Sequence, residues 1–452
     1  MKPNILFLVV DSLRSDRFYG KSKTSVTPNL DKLIRNGGLF TNTVSSIPAT
    51  KRATSCILTS LHPFKTGSDD DNFFKIPTST KTHFSTLKQN GYHIVATIPQ
   101  LLSSTGLFSE IENRYDFTFD NFHGRLNHNL DKKIFDQLNS ISSKNPWFYY
   151  IHLLDLIKPT IVDKSYNKFE YGNDEYDRIL SHIDVFLGKL IEKIDLDKTL
   201  IIITADHSAY LPKITNDDSD FTFEASSVLR FIWKLGFRIP SRLNFFWMKL
   251  YNFYKIVYIK KLNNKINKNS LSKYQMRLFL NLIGHTRDIH NDNIVIPFLI
   301  SGFNVKKFIS NFTIRQIDIF PTILDFVGIK SFQNYDGTSL KSMLDGQNNT
   351  SLLCYFENLP TRENNWKKIV GVQYEQHKFV VEKNNQSNFQ LYDLSNDLLE
   401  ENNIAKDNPD IVKNMKDSLN NLYQNKPPQL EDSLSENERK KVEDELRKLG
   451  YI

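Results

Sequence analysis

With 452 residues the chain is long enough for one large domain, or a large domain with a small partner. Hydrophobic residues at 40% and aromatics at 12% support a sizeable core, and the two cysteines, Cys56 and Cys354, exclude a disulfide framework and fit a reducing compartment. The net charge of +7 is unevenly placed: residues 225–286 hold 12 Lys and Arg and no Asp or Glu, so the remainder has 46 basic and 51 acidic residues, a net of −5. The basic character therefore belongs to one segment, and no nucleic-acid motif accompanies it.

The N-terminal apolar run, residues 5–10, is too short for a signal sequence or a membrane span, and an acid follows at once. It reads as a first core strand. No secretion signal or span is expected elsewhere, and the compartment expected is cytoplasmic, peripheral to the membrane at most. Further along, "WFYYIHL", "LIIITA" and "IVIPFLI" read as buried strands. "TPNLDKLIRNG" and "YDRILSHIDVFLGKLIEKI" read as helices between them. Apolar strands alternating with helices predict an α/β fold: a large, mostly parallel sheet sandwiched by helices. After about residue 350 the texture changes. "KIVGVQYEQHKFVVEK" and "FQLYDL" read as antiparallel strands and "NPDIVKNMKDSLNNLY" as an amphipathic helix, a small C-terminal antiparallel sheet with its helix. The expected organisation is a main domain over 1–350 with a basic, aromatic insertion at about 209–284. An α+β subdomain over 351–425 follows, then a helical tail over 426–452, opened by a capping box of Ser435 and Glu438.

Ligands in such sheets bind at the carboxyl ends of strands. Asp11 follows the first strand directly, and Asp206 and His207 follow "LIIITA". These oxygen and nitrogen donors suit a divalent cation, without distinguishing Ca²⁺, Mn²⁺, Mg²⁺ and Zn²⁺. The plainer alternative is loop acids capping helices beside a loop histidine.

"PNILFLVVDSLRSDR" resembles the opening of the sulfatase family, within the alkaline-phosphatase-like superfamily. "IIITADHS" is similar to its Asp-His metal motif, "NIVIPFLISGF" and "FTIRQIDIFPTILDFVGI" to its late strand and helix, and "HKFVVEKNNQSNFQLYDLSNDLLEENNIA" to its C-terminal subdomain. The motifs run in family order from residue 3 to about residue 405. The family's active-site motif is Cys or Ser-x-Pro-x-Arg, then Ala-x-x-Leu-Thr-Gly and a Pro. "ILTSLHP" matches its downstream part, and counting back without a gap places the nucleophile at Thr50, with Cys56 a packed residue on the following helix. A rival register, aligning residues 52–54 with Arg-Ala-Ser, puts Pro48 at the nucleophile position, where no chemistry is available.

Thr50 changes the chemistry that the resemblance implies. Sulfatases proper oxidise their Cys or Ser to formylglycine, whose hydrate expels sulfate with the help of a second hydroxyl; Thr carries one hydroxyl and has no such route. A phosphothreonine is more readily turned over by water or passed to an acceptor, as in superfamily phosphodiesterases and transferases whose metal activates the Thr oxygen. The implied metal set is Asp11, Thr50, Asp206 and His207. His285, twelve residues before Pro297, matches a basic family position at the leaving group. Other family positions depart: Asp155-Leu156-Ile157 lacks the family's His, and the motif Arg is Thr54. Lys51, Arg52 and Lys158 are the cations left to bind substrate. Asp155 could support a second metal with His285, and His152 reads as a core histidine within its strand.

The insertion, above all 228–262, reads as a membrane-surface element or as a lid over an anionic glycan or lipid headgroup. The expected function is a metal-dependent hydrolase of a phosphate or sulfate ester, with phosphoesters and phosphodiesters favoured and the substrate glycan- or lipid-linked. The alternatives are transfer of a phosphoryl-linked group to a glycan or lipid, and a non-catalytic protein that binds an anionic glycan or a membrane.

Overall fold

In the computed structural model the residues described are 2–67, 74–118 other than 78, 124–157, 161–211, short pieces between 213 and 260, 271–283, 288–330, 334–347, 350–360 and 367–424. Lys158, His285, most of 228–262 and the tail 426–452 with its capping box lie outside them.

The strands in chain order are β1 (Asn4–Val10), β2 (Gly38–Val44), β3 (His93–Pro99), β4 (Asn113–Phe117), β5 (Trp147–Leu153), β6 (Thr199–Thr204), β7 (Lys213–Asn216), β8 (Ser219–Thr222), β9 (Val295–Gly302), β10 (Phe308–Ser310), β11 (Ile314–Arg315), β12 (Cys354–Glu357), β13 (Ile369–Tyr374), β14 (His377–Glu382) and β15 (Asn385–Asp393). Nine of them form one sheet in the order β10-β2-β9-β6-β1-β5-β3-β4, with β11 also on β2. Only β9 runs antiparallel, to β2 on one side and β6 on the other. The expected large, mostly parallel sheet is therefore present.

The continuous apolar runs are explained by burial on both faces. Along β1, Ile5, Phe7 and Val9 pack with Phe148, Tyr150 and Phe320, while Leu6, Leu8 and Val10 pack with Tyr149, Ile151 and Leu180. Successive side chains on a strand point to opposite faces, so one strand serves two helical layers. Helices Thr50–Thr59, His83–Gln89 and Ile319–Phe326 cover the first face, and Leu130–Ile141 and Glu175–Ile191 the second. The last of these starts where the Asp174 carboxylate accepts the Asp177 N–H, a side-chain N-cap.

The second sheet is antiparallel, β12-β13-β14-β15. Its Val370, Val372, Phe379 and Leu391 bury Met415 and Leu419 of helix Pro409–Gln424. Phe64, just beyond helix Thr50–Thr59, enters the same cluster, so the small sheet is packed against the segment that leaves the site. Among the described residues no helix is long and apolar enough to cross a membrane.

Candidate active site

The geometry starts from strand register. Val9 of β1 pairs with Thr204 of β6, so Asp11 and Asp206, each two residues beyond, emerge side by side. The turn that re-aims Asp11 is held from outside. Ser12 takes a left-handed φ of 64°, its hydroxyl donates to Asp11 Oδ1 at 2.7 Å, and the Tyr176 hydroxyl donates to Ser12 O at 2.9 Å. A left-handed serine costs energy and persists only where its surroundings over-determine it. Asp206 is fixed through its carbonyl, which accepts from Ser45 Oγ at 2.7 Å and from Gln316 Nε2.

Thr50 begins the helix Thr50–Thr59. The residue before it, Ala49, has no side chain able to cap the helix. The Thr50 hydroxyl donates to Asp11 Oδ2 at 3.1 Å and lies 3.4 Å from His207 Nε2. His207 Nδ1 lies 2.8 Å from Ser208 O; a carbonyl only accepts, so Nδ1 carries a proton and donates there. His207 Nε2 is also 3.9 Å from Asp11 Oδ1 and 3.6 Å from Asp206 Oδ2.

The two carboxyls answer burial differently. Burial pushes Asp11 up, but the neighbouring His152 and His207 and the Ser12 hydroxyl outweigh it and hold the group at about 2. For Asp206, burial and then repulsion from Asp11 win, and its carboxyl is raised. Both Asp206 oxygens are buried without a hydrogen-bond partner. A buried carboxylate left so is costly unless a cation joins it. One donor atom each from Asp11, Asp206 and His207 lies within 4.8 Å of the others, so the residues fit a divalent cation.

The other expected residues fall differently. Cys56 is fully buried, and burial pushes its thiol far up, against the pull of Arg52, so it is a packing residue. Lys51 is buried in the same first turn. Arg52, proposed from the sequence as a substrate contact, lies in the same turn. Its guanidinium is fully buried and meets Glu357 Oε1 of β12 at 3.0 Å, so its charge is already matched. Asp155 is buried at the end of β5, where Oδ1 accepts the Leu126 N–H at 3.0 Å. Burial, opposed by Arg125, lifts its carboxyl to about 6.

Several residues near the site were given no role in it by sequence reasoning. His152 reads as a core histidine, and it is buried, but its Nε2 faces Asp11 Oδ2 at 3.8 Å while Nδ1 meets the Tyr150 hydroxyl at 3.0 Å. Its signal was available: β5 pairs with β1 and places His152 opposite Val9, two residues from Asp11. Ser45 and Gln316 carried no local signal, because they reach Asp206 only once distant strands assemble.

Solved structures with this architecture cover nearly the whole chain. The phosphonate monoester hydrolase of Agrobacterium radiobacter matches with a TM-score of 0.67 at 14% identity, over 96% of this chain and 99% of that one. A structure in complex with its substrate D-glucosamine-2-N,6-O-disulfate matches with a TM-score of 0.63 at 14% identity, over 94% and 99%. At such identities the likeness defines the fold alone. The family model described as Sulfatase matches residues 3–329, and the chain belongs to the sulfatase family. A second model, N-sulphoglucosamine sulphohydrolase, C-terminal, matches residues 285–425. Human arylsulfatase D is 28% identical over 144 residues, 29% of this chain and 22% of that protein. An uncharacterised protein of Haemophilus influenzae is 24% identical over 237 residues, 52% of this chain and 37% of that protein. The chain thus spans well under half the length of the curated relatives it matches.

Proposed function

We propose that the chain is a metal-dependent ester hydrolase that uses the Thr50 hydroxyl as nucleophile, with phosphate monoesters or diesters favoured over sulfate esters. The observation that carries this reading is the place of Thr50 Oγ1, at a helix start and between Asp11 Oδ2 and His207 Nε2. Asp11, Asp206, His207 and Thr50 Oγ1 would hold the divalent cation, which supplies Lewis acidity and lowers the pKa of the hydroxyl. Asp11 Oδ2 accepts the Thr50 hydrogen and orients the oxygen. The amides of the first helical turn, with the helix dipole, favour the negative charge of the bound ester.

In the covalent step the Thr50 oxygen bonds to phosphorus and the bond from phosphorus to the ester oxygen breaks. The hydroxyl proton leaves to solvent, and the leaving oxygen takes a proton from an acid, the role proposed for His285. Water then attacks the phosphothreonine, releases phosphate and restores the hydroxyl. A sulfated Thr50 has no second hydroxyl on its carbon to expel sulfate, and this difference favours phosphorus. Lys51 and Lys158 remain proposed contacts for the anion. The sulfated sugar bound in the similar structure supports a glycan-linked ester as the substrate class.

The test compares an aryl sulfate, a phosphate monoester and a phosphodiester with added Mn²⁺, Ca²⁺, Mg²⁺ or Zn²⁺, for wild type and Thr50→Ala. Thr50→Ala is expected to lose on the order of 10³-fold or more in kcat/KM, as removal of a nucleophile does. Mass spectrometry of the trapped 45–63 peptide should place the adduct on Thr50. Full activity in Thr50→Ala would remove Thr50 from the mechanism.

A further inference from the structure

We propose that the basic insertion docks the protein on an anionic phospholipid surface. This inference stands independently of the hydrolase reading, because it uses none of the residues in the site. Among the described residues, Leu250, Phe253, Val257, Leu280, Leu398 and Leu399 make up half of the exposed large hydrophobics. Four belong to the insertion or the helix that closes it, and the other two lie on the loop against that helix.

Leu250, Phe253 and Val257 occupy helical positions three and four residues apart, so they share one face. They are 49%, 64% and 38% exposed. Lys260, one turn further along that face, is exposed as well. Trp247, Tyr254 and Tyr258 follow a spacing of seven and four on the neighbouring face and are half-buried. A surface helix of a water-soluble protein normally turns its apolar stripe inward. Here the aromatic side is the sheltered one, while Leu, Phe and Val face outward.

A second apolar group sits beside a cation. Leu280 lies one turn from Arg277 on helix Lys273–Ile283, and the Arg277 guanidinium donates to the carbonyls of Leu399 and Glu400. Lys273 ties the same loop, donating to Glu401 O at 2.6 Å. Charge decides the kind of surface. Residues 225–286 carry 12 cations and no acid within a chain whose remainder is net negative. Outward apolar side chains on a segment whose sequence holds cations and no acid match the boundary of a bilayer, where acyl chains take the former and anionic headgroups the latter.

The experiment is co-sedimentation of the full chain with phosphatidylcholine vesicles, with and without phosphatidylserine, over a range of salt. Binding is expected to the phosphatidylserine vesicles, to weaken as salt rises, and to be much weaker on phosphatidylcholine alone. Phe253→Glu and Leu250→Glu should each lower the affinity roughly tenfold, and Lys260→Glu less. Near-ultraviolet circular dichroism checks that the variants fold, and the lipid and salt dependence of wild type needs no variant at all. No binding to either vesicle, equal binding to both, or undiminished binding by the folded variants overturns the proposal. So does self-association in sedimentation velocity that the same substitutions abolish, which would assign the face to a second copy.

Discussion

Replacing Arg52 by Met should weaken the fold and leave substrate affinity almost unchanged. Arg52 and Glu357 are both essentially inaccessible, and their charged atoms lie 3.0 Å apart. Removing one partner of a buried pair typically costs 3–5 kcal/mol, because the other charge is stranded. Glu357 is not fully stranded here: Lys368 Nζ lies 2.7 Å from the same oxygen, and the Tyr355 hydroxyl donates to the other at 2.6 Å. Although burial pushes the Glu357 carboxyl up, Lys368 and then Arg52 hold it below its usual range, and Lys368 remains in the variant. The expected cost is therefore about 2–3 kcal/mol, below the usual figure for a broken buried pair. The assay is the unfolding free energy from urea titration, measured beside KM. In a Glu357→Gln background the same replacement should cost clearly less, since the two residues act as one unit. An unchanged unfolding free energy with KM raised tenfold would refute the reasoning and return Arg52 to the substrate.

Two further outcomes follow from the buried groups around the site. Gln316→Ala leaves the Asp206 carbonyl to Ser45 alone and should weaken Mn²⁺ binding about tenfold, the usual effect of losing a group that orients a ligand; titration calorimetry reads it, and unchanged affinity would deny Gln316 that role. Asp155 has its carboxyl raised from 3.8 to about 6, so the folded state holds the proton more tightly than the unfolded chain. Its contribution is complete below pH 3.8 and is lost as pH rises to about 6, a change of about 3 kcal/mol. Asp155→Asn can still accept from the Leu126 N–H, so it should match wild type in urea unfolding near pH 4 and exceed it by up to about 3 kcal/mol at pH 7. Equal stability of the two proteins at both pH values would count against a buried, strained carboxyl.

Much of the sheet was legible because a strand buried on both faces must be apolar throughout. "ILFLVV" and "LIIIT" have no other stable place in a soluble domain, and polar residues that end such runs mark the ligand edge of the sheet. Asp11, Asp206 and His207 came from that rule alone. Thr50 came from the resemblance, by an ungapped count back along the family motif from "ILTSLHP". The partner of Arg52 was not legible, because a guanidinium beside a nucleophile looks the same in sequence whether it faces an open site or a buried carboxylate.

The sequence by itself determined which segments are strands, which strand ends carry donors and which hydroxyl starts the helix, because all three depend on period and local chemistry. Only the tertiary structure decided what each donor meets. β1 and β6 are far apart in sequence, yet their register brings Asp11 against Asp206 and leaves both carboxyl oxygens of Asp206 without a hydrogen-bond partner. β12, from the other sheet, supplies the carboxylate that takes Arg52. Local periodicity says which way a side chain points along its own strand or helix. What waits there is set by long-range packing, to which a single stretch of sequence carries no reference.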